Sequence, residues 1–517
     1  MDLTFDHRQP ENSRREIFLV LLLLFIFVAI NLTVATHTPT VYADEPGYTD
    51  PAANLYFGSG FTSTMWAQGC HEFWCGNVPL YEFILYATFK LFGFGLFQAR
   101  AVNTCLAAAA AALIWAALRY SNTIRTSTGR ILCLGLLLSG AVSTLTIRTI
   151  RPDTTMFFTC ALVFFFSRLP LRLPYRCLWA AAASALLPFA GLPMLPYTGV
   201  MVLLVFGCLG LAEAALLSAI GLGVGAGIAL LALFYNHFSS LETFVKIVLP
   251  FTVLGSRPAT GPGAWHAKLL GDHPGSDNLF TSFFGNPASF VDQKTICDYS
   301  ALLLFGLFLW VAISVWRAVD GRVRWRILFV VLLVTITPPL MHIVGHYRSM
   351  YRWMTFVPLT LAVPWILEQQ PEILKMKWLK GMAIIFIGAA VFLGIPARTL
   401  VIIPYWAERS PTPLERTCQA MVHPEDVVVC SLKAWFSVRP HARLVYCCDL
   451  PARGEFSQTV DLPTNNISLL CLLPKDYENV VQAIGGRWQK IKIGEPVAAA
   501  ALERTRYAVE FYRRISE

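Results

Sequence analysis

Three clusters of ionisable residues in this chain have the types and spacing to do chemistry. The first is Asp44-Glu45-Pro46-Gly47-Tyr48-Thr49-Asp50. Two adjacent carboxylates with a third close by, next to long apolar runs, must be solvated, paired or bound to a cation. One reading is a solvated loop that caps the following helix. The other is a general base at Asp44 or Glu45 that takes a proton from an acceptor, with a divalent cation at the pair as a candidate cofactor and Tyr48 and Asp50 on the acceptor side. Tyr42, Tyr56, Phe57, Trp66, Phe73 and Trp74 surround the cluster. That aromatic density suits a membrane interface and equally a surface that receives an amphiphilic substrate.

The second cluster is Arg148-Thr149-Ile150-Arg151-Pro152-Asp153. It is either a self-satisfied ion cluster or an anion site in which Asp153 orients an arginine or a substrate hydroxyl. Arginine suits phosphate because its planar fork donates two parallel hydrogen bonds. The third cluster gathers His342, His346, Tyr347, Arg348, Tyr351, Arg352 and Trp353. Its cations either meet an anion or snorkel to headgroup phosphates. A long stretch at 235–298 adds Lys246, Arg257, His266, Lys268, Asp272, His273 and Asp277. The expected phosphate contacts are Arg148, Arg151, Lys268, Tyr347, Arg348 and Arg352. His266 and His346 are expected on the acceptor side.

The elements that must position these residues are membrane helices. Of the 517 residues, 56% are apolar and 14% are charged, far below the roughly 25% charged of soluble domains. An ordinary soluble enzyme and a disordered chain are both excluded. A bilayer core of ~30 Å needs about 20 apolar residues in a helix. Uncharged runs at 17–35, 101–118, 131–147, 154–167, 177–212, 214–236, 299–316, 327–341, 353–367 and 381–397 give eleven spans when the long run 177–212 counts twice. The first run is too long for the ~7–15-residue apolar core of a signal peptide.

With the N-terminus inside, basic clusters fall on the cytoplasmic side: Arg14 and Arg15, Arg119 to Arg130, Arg168 to Arg176, Arg317 to Arg326, and Lys375 to Lys380. That is the positive-inside pattern. It accounts for the net charge of +9 without nucleic acid. It also requires residues 78–98, which carry Glu82 and Lys90, to lie in the interface rather than cross. The three clusters then share the outer face, in loops 36–100, 148–153, 235–298 and 342–352. Residues 1–400 form the membrane part. The tail 401–517 follows outside, with apolar runs at 426–430, 443–447 and 467–472 that read as buried strands and helical stretches at 413–422 and 475–485. The expected fold is therefore mainly α and polytopic, with a small outer α/β domain. Cys70 and Cys75 share the first outer loop, where a disulfide is permitted.

The ordered set resembles the polytopic C-type glycosyltransferases that use polyprenyl-phosphate sugars, which include the protein O-mannosyltransferases and the lipid A aminoarabinose transferases. The resemblance rests on Asp44-Glu45 after the first span, on Pro79-Leu80-Tyr81, Leu91-Phe92-Gly93 and Ala99-Arg100, on Arg151-Pro152-Asp153, and on Arg352-Trp353 with Pro358. It covers roughly residues 15–400. It implies that Asp44 is the catalytic carboxylate and that Asp153 matters beside it. It implies inverting sugar transfer to a lipid, glycan or protein acceptor at the outer face of a bacterial inner membrane. Asn77-Val78 stand where relatives often carry a charged or histidine residue before Pro-Leu, so a metal or phosphate contact from that segment is not implied. The competing reading is a transporter or lipid flippase. That class places ionisable groups at mid-membrane, whereas these spans are nearly free of charge.

Overall fold

The computed structural model describes residues 10–41, 44–65, 78–121, 123–140, 147–191, 216–225, 227–228, 296–343, 353–369, 377–448, 464–493 and 496–515. The apolar runs become helices. They are α1 (Pro10–Thr33), α4 (Leu96–Ser121), α5 (Ser127–Ser139), α6 (Asp153–Arg168), α7 (Leu173–Ala185), the short α8 (Leu187–Ala190), α9 (Leu216–Gly225), α10 (Ile296–Val315), α11 (Gly321–Ile343), α12 (Trp353–Gln369), α13 (Lys377–Phe392) and α14 (Ile395–Ile402). Two more helices, α2 (Asp44–Tyr56) and α3 (Pro79–Phe92), follow α1. Three helical stretches among the described residues, Arg14–Thr33, Leu96–Ser121 and Lys380–Tyr405, are long and apolar enough to cross a membrane. Residues 192–215, and with them the expected division of the run 177–212, lie outside the described residues.

Small residues set the helix spacing. Ala107, Ala110 and Ala111 are buried on α4, which packs against α6; the alanine run is a packing face. On α9, a Cβ at Gly221 or Gly225 would strike the carbonyls of Ala181 and Ala185 on α7, so the two helices touch backbone to backbone. Gly394 sits at the break between α13 and α14, where a Cβ would collide with the Ser139 carbonyl oxygen. The uncharged run at 381–397 thus ends in a bend against α5.

Helix α3 is 14 residues long, or ~21 Å at 1.5 Å per residue, short of a bilayer core. It buries Tyr81, Glu82, Leu85 and Phe89 and leaves Phe83, Leu91 and Phe92 exposed. An exposed apolar face thus sits on a helix shorter than a bilayer core.

In the tail, β1 (Val427–Cys430), β2 (Leu444–Cys447) and β3 (Leu469–Leu472) form on the three apolar runs. Two further strands, β4 (Trp488–Lys490) and β5 (Glu510–Arg514), complete a mixed sheet in the order β2-β1-β3-β5-β4. The β1 pairings are parallel, and β5 is antiparallel to both neighbours. Helices α15 (Thr412–Met421), α16 (Trp435–Val438), α17 (Tyr477–Ile484) and α18 (Pro496–Glu503) flank it. The five tail cysteines Cys418, Cys430, Cys447, Cys448 and Cys471 are buried, as small apolar residues are. Cys70 and Cys75 lie outside the described residues.

One apolar core runs from the tail into α2 and α3. It joins Leu414, Trp435, Val445 and Tyr507 to Ala52, Ala53, Tyr81, Leu85 and Phe89. The sheet is thus a packed neighbour of the helices that carry the first cluster.

Candidate active site

Asp44 and Glu45 open α2, the end of a helix where negative charge is favoured by the helix dipole. Successive helical residues point about 100° apart, and here the two side chains part company. Glu45 is fully enclosed. Its oxygens accept from Arg100 Nε at 2.9 Å and Arg100 Nη2 at 2.7 Å. The Ile150 backbone N–H adds a bond of 2.9 Å to Oε1. Arg100 Nη1 donates in turn to the carbonyls of Ala35 and Pro39, both at 2.7 Å. Glu45 and Arg100 therefore pin together the end of α1, α2, α4 and the turn before α6. The candidate base at Glu45 is corrected: its carboxylate is committed to structure.

Asp44 keeps 22% of its side-chain surface exposed and pairs through Oδ2 with Arg151 Nη1. Arg151 Nε donates to Asp153 Oδ2 at 3.1 Å, and Asp153 Oδ1 accepts from the Trp353 indole N–H at 3.1 Å. The Arg151 guanidinium also lies 5.5 Å from the centroid of the Tyr48 ring. The turn that carries Arg151 is held by Asn103 of α4, whose amide donates to the Thr149 and Arg151 carbonyls. Asp44, Arg151, Asp153 and Tyr48 thus come together as expected, from three separate stretches of chain. Trp353, expected only as part of a basic-aromatic cluster, joins them through α12. Arg100 and Asn103 were not expected as site residues; only their burial in the fold reveals them.

Arg151 is already shared between two carboxylates, so its expected duty as a phosphate contact gives way to one of positioning Asp44. Arg148 is corrected as well. Its side chain is buried, with Nε on Asn31 Oδ1 at 2.8 Å and Nη2 on Thr399 Oγ1 at 3.1 Å. Two residues separate it from Arg151, and the turn sends the two guanidinium groups to different neighbours.

Asp50 is corrected from the acceptor side to the interior. Its Oδ2 accepts from the Thr64 backbone N–H at 2.8 Å and Ser63 Oγ at 2.9 Å. Burial pushes its carboxyl up to about 6, against the opposing pull of Arg439 and these donors. Glu82 of α3 is also enclosed; burial first and then the Asp50 charge push its carboxyl well above the usual range. Arg439 reaches this region from the tail and donates to Asn54 Oδ1 from Nη2 at 2.9 Å.

His266, Lys268, His346, Tyr347, Arg348 and Arg352 lie outside the described residues, as do Trp66, Phe73 and Trp74. Among the described residues no group of three His, Cys, Asp or Glu side chains could hold a metal. The Asp44–Glu45 pair does not fit a shared cation: Glu45 turns into Arg100, and a guanidinium already sits on Asp44.

No family model matches the sequence, and no curated protein matches it. Solved structures do. ArnT from Cupriavidus metallidurans bound to undecaprenyl phosphate superposes with a TM-score of 0.57 at 10% identity, over 96% of this chain and 98% of that one. The same protein in the apo state gives 0.58 at 12% identity, with the same coverage. The Archaeoglobus fulgidus oligosaccharyltransferase tethered with an acceptor peptide gives 0.47 at 9% identity, covering 90% of this chain and 70% of that one. The fold is that of a C-type membrane glycosyltransferase. Nearly the whole chain, tail included, has the architecture of ArnT, a lipid A aminoarabinose transferase.

Proposed function

We propose that this protein transfers a sugar from a polyprenyl-phosphate donor to an acceptor hydroxyl or amine, with inversion, at the outer face of a bacterial inner membrane. The observation that carries the reading is the Asp44–Arg151–Asp153 relay: a part-exposed carboxylate held by an arginine that a buried aspartate holds in turn. The shared fold with ArnT, seen bound to undecaprenyl phosphate, supports a lipid-phosphate donor. The positive-inside pattern supports eleven spans, an N-terminus inside and a tail outside.

In the reaction, the acceptor heteroatom attacks the anomeric carbon while the bond from that carbon to the phosphate oxygen breaks. The electron pair leaves with the phosphate. The acceptor proton goes to Asp44, whose Oδ1 is not the oxygen that Arg151 grips. General-base help of this kind is worth roughly 10²–10⁴-fold. Inversion follows from attack opposite the leaving group through an oxocarbenium-like state. Lys268, Tyr347, Arg348 and Arg352 are the groups assigned to the departing phosphate, where stabilisation of developing charge lowers the barrier. Tyr48 and the imidazoles of His266 and His346 are assigned to the acceptor side.

The test is transfer by purified protein from a panel of undecaprenyl-phosphate sugars, scored by labelled product. Asp44→Asn should bind donor and fail to transfer. Normal transfer by that variant would remove Asp44 from catalysis and the reading with it.

A further inference from the structure

Asp153 is a buried carboxylate with both oxygens assigned: Oδ2 to Arg151 Nε and Oδ1 to the Trp353 indole N–H, each at 3.1 Å. A carboxylate gripped from one side can swing about its χ torsions. Gripped on both oxygens, it cannot turn without breaking a charge-assisted hydrogen bond. Trp353 is itself fixed. It is the first residue of α12, it is almost completely buried, and its ring meets Phe157 edge-on at 6.1 Å. Phe157 lies four residues beyond Asp153 on α6, on the same helix face. The indole is thus braced by the helix whose first carboxylate it holds.

Packing alone would not need an indole. A phenylalanine keeps an aromatic contact with Phe157 and carries no donor, at the cost of a small cavity where the second ring was. A buried indole N–H usually finds an acceptor, and here it meets the carboxylate that orients Arg151 rather than a backbone carbonyl. The contact reaches across 200 residues of sequence. It ties the late helix α12 to the Arg151 side chain that touches Asp44.

We propose that Trp353 is a positioning residue for the transfer reaction: its indole N–H locks Asp153, which sets the Arg151 face that holds Asp44 in attacking geometry. This rests on the reading of Asp44 as the base. Trp353 touches neither donor nor acceptor in this role; it acts through Asp153 and Arg151.

The experiment is a double-mutant cycle on the full-length protein, with Trp353→Phe, Asp153→Asn and both together. Transfer from an undecaprenyl-phosphate sugar accepted by the wild type supplies kcat and KM, and thermal unfolding supplies Tm. Losing a hydrogen bond to a charged group is worth roughly tenfold or somewhat more. Trp353→Phe should therefore lower kcat by about tenfold with KM nearly unchanged, and lower Tm modestly, because the indole's volume and the bond to Asp153 are both lost. In the Asp153→Asn background it should lower kcat no further, because residues that act as one unit are not additive. Unchanged kcat in Trp353→Phe, or losses that multiply in the double variant, would overturn the proposal and leave Trp353 a packing residue. If Trp353→Phe folds poorly, 3-benzothienylalanine at position 353 keeps the bicyclic shape and removes only the N–H; normal turnover with it is equally fatal. Asp44→Asn is run alongside. Its activity decides the parent reading, and an inactive Asp44→Asn beside a normal Trp353→Phe sinks the Trp353 proposal alone.

Discussion

Asp44 and Glu45 are neighbours in sequence and opposites in environment. Glu45 is enclosed and its charge is answered by a bidentate arginine plus a backbone N–H. Asp44 keeps access on one side and shares its arginine with Asp153. A buried ion pair is weak evidence of net stabilisation, yet breaking one member is costly because the survivor is stranded. The comparison separates two jobs: Glu45 and Arg100 hold four segments in register, and Asp44 is left able to react.

The sharpest way to break that comparison is to remove each charge in turn. Asp44→Asn should reduce transfer by roughly 10²–10⁴-fold with the unfolding midpoint little changed. Glu45→Gln should do the reverse. It leaves Arg100 buried and half-answered and should cost about 3–5 kcal/mol of stability. The readouts are unfolding midpoint and the yield of monodisperse protein, with activity per folded molecule largely kept. A stable, inactive Glu45→Gln protein would exchange the two roles.

Next in size is the effect of pH on the Asp50–Glu82 pair, a third fate for acidic residues of this region. The Asp50 carboxyl rises from 3.8 to about 6 in the folded state. The folded protein then holds a proton that the unfolded chain releases earlier, so stability falls as pH climbs from about 4 to 6 and stays lower above that. The shift corresponds to about 3 kcal/mol, and Glu82 acts in the same direction. Denaturant unfolding at pH 4, 5.5 and 7 should show Asp50→Asn gaining on the wild type as pH rises. Parallel curves would mean that Arg439 keeps Asp50 ionised throughout.

A smaller effect is expected at Arg151. Lysine there keeps the charge but cannot bond Asp44 and Asp153 at once from a planar fork. Arg151→Lys should lose about tenfold in turnover, the scale of one charge-assisted hydrogen bond. A change in KM alone would instead make Arg151 a donor contact. The smallest effect belongs to Tyr507→Phe. It removes the hydroxyl that accepts from the Val41 backbone N–H at 3.2 Å and should cost about 1 kcal/mol, read as a small drop in unfolding midpoint.

The sequence carries much of the fold on its face. The apolar runs at 426–430, 443–447 and 467–472 each became a strand within two residues of the expected ends. Buried parallel strands are continuous apolar runs. The strands Trp488–Lys490 and Glu510–Arg514 were missed because the first is only three residues long and the second carries Glu510, Arg513 and Arg514, so no apolar run marks them. The candidate site was legible as residue types. Asp44, Arg151 and Asp153 do meet, and the Arg151-Pro152-Asp153 spacing already hinted at a short-range pair. What could not be read is which member of each pair faces inward. Arg100 answers Glu45 across 55 residues, and Arg439 answers Asn54 across 385. No local pattern encodes such partners. Arg148 and Arg151 belong to one motif, and only the turn between them decides which reaches Asp44.

The tail grips the stretch that carries the first cluster on both of its flanks: Tyr507 at Val41, Arg439 at Asn54, and the Val445 carbonyl at Thr64. Seen in time rather than in space, this sets an order of manufacture. The ribosome finishes α2 early, but the tail residues that cover it are made some 380 to 470 positions later. A nascent chain therefore holds α2 through Arg100 and Arg151 first, and the tail-facing side of α2 stays uncovered until residues 439–507 have been made. Full protease protection of α2 in pulse-labelled chains should appear only once residue 507 has emerged. Early full protection would mean that the helical body shields α2 without the tail. The site is thus closed from its tail side only late in synthesis.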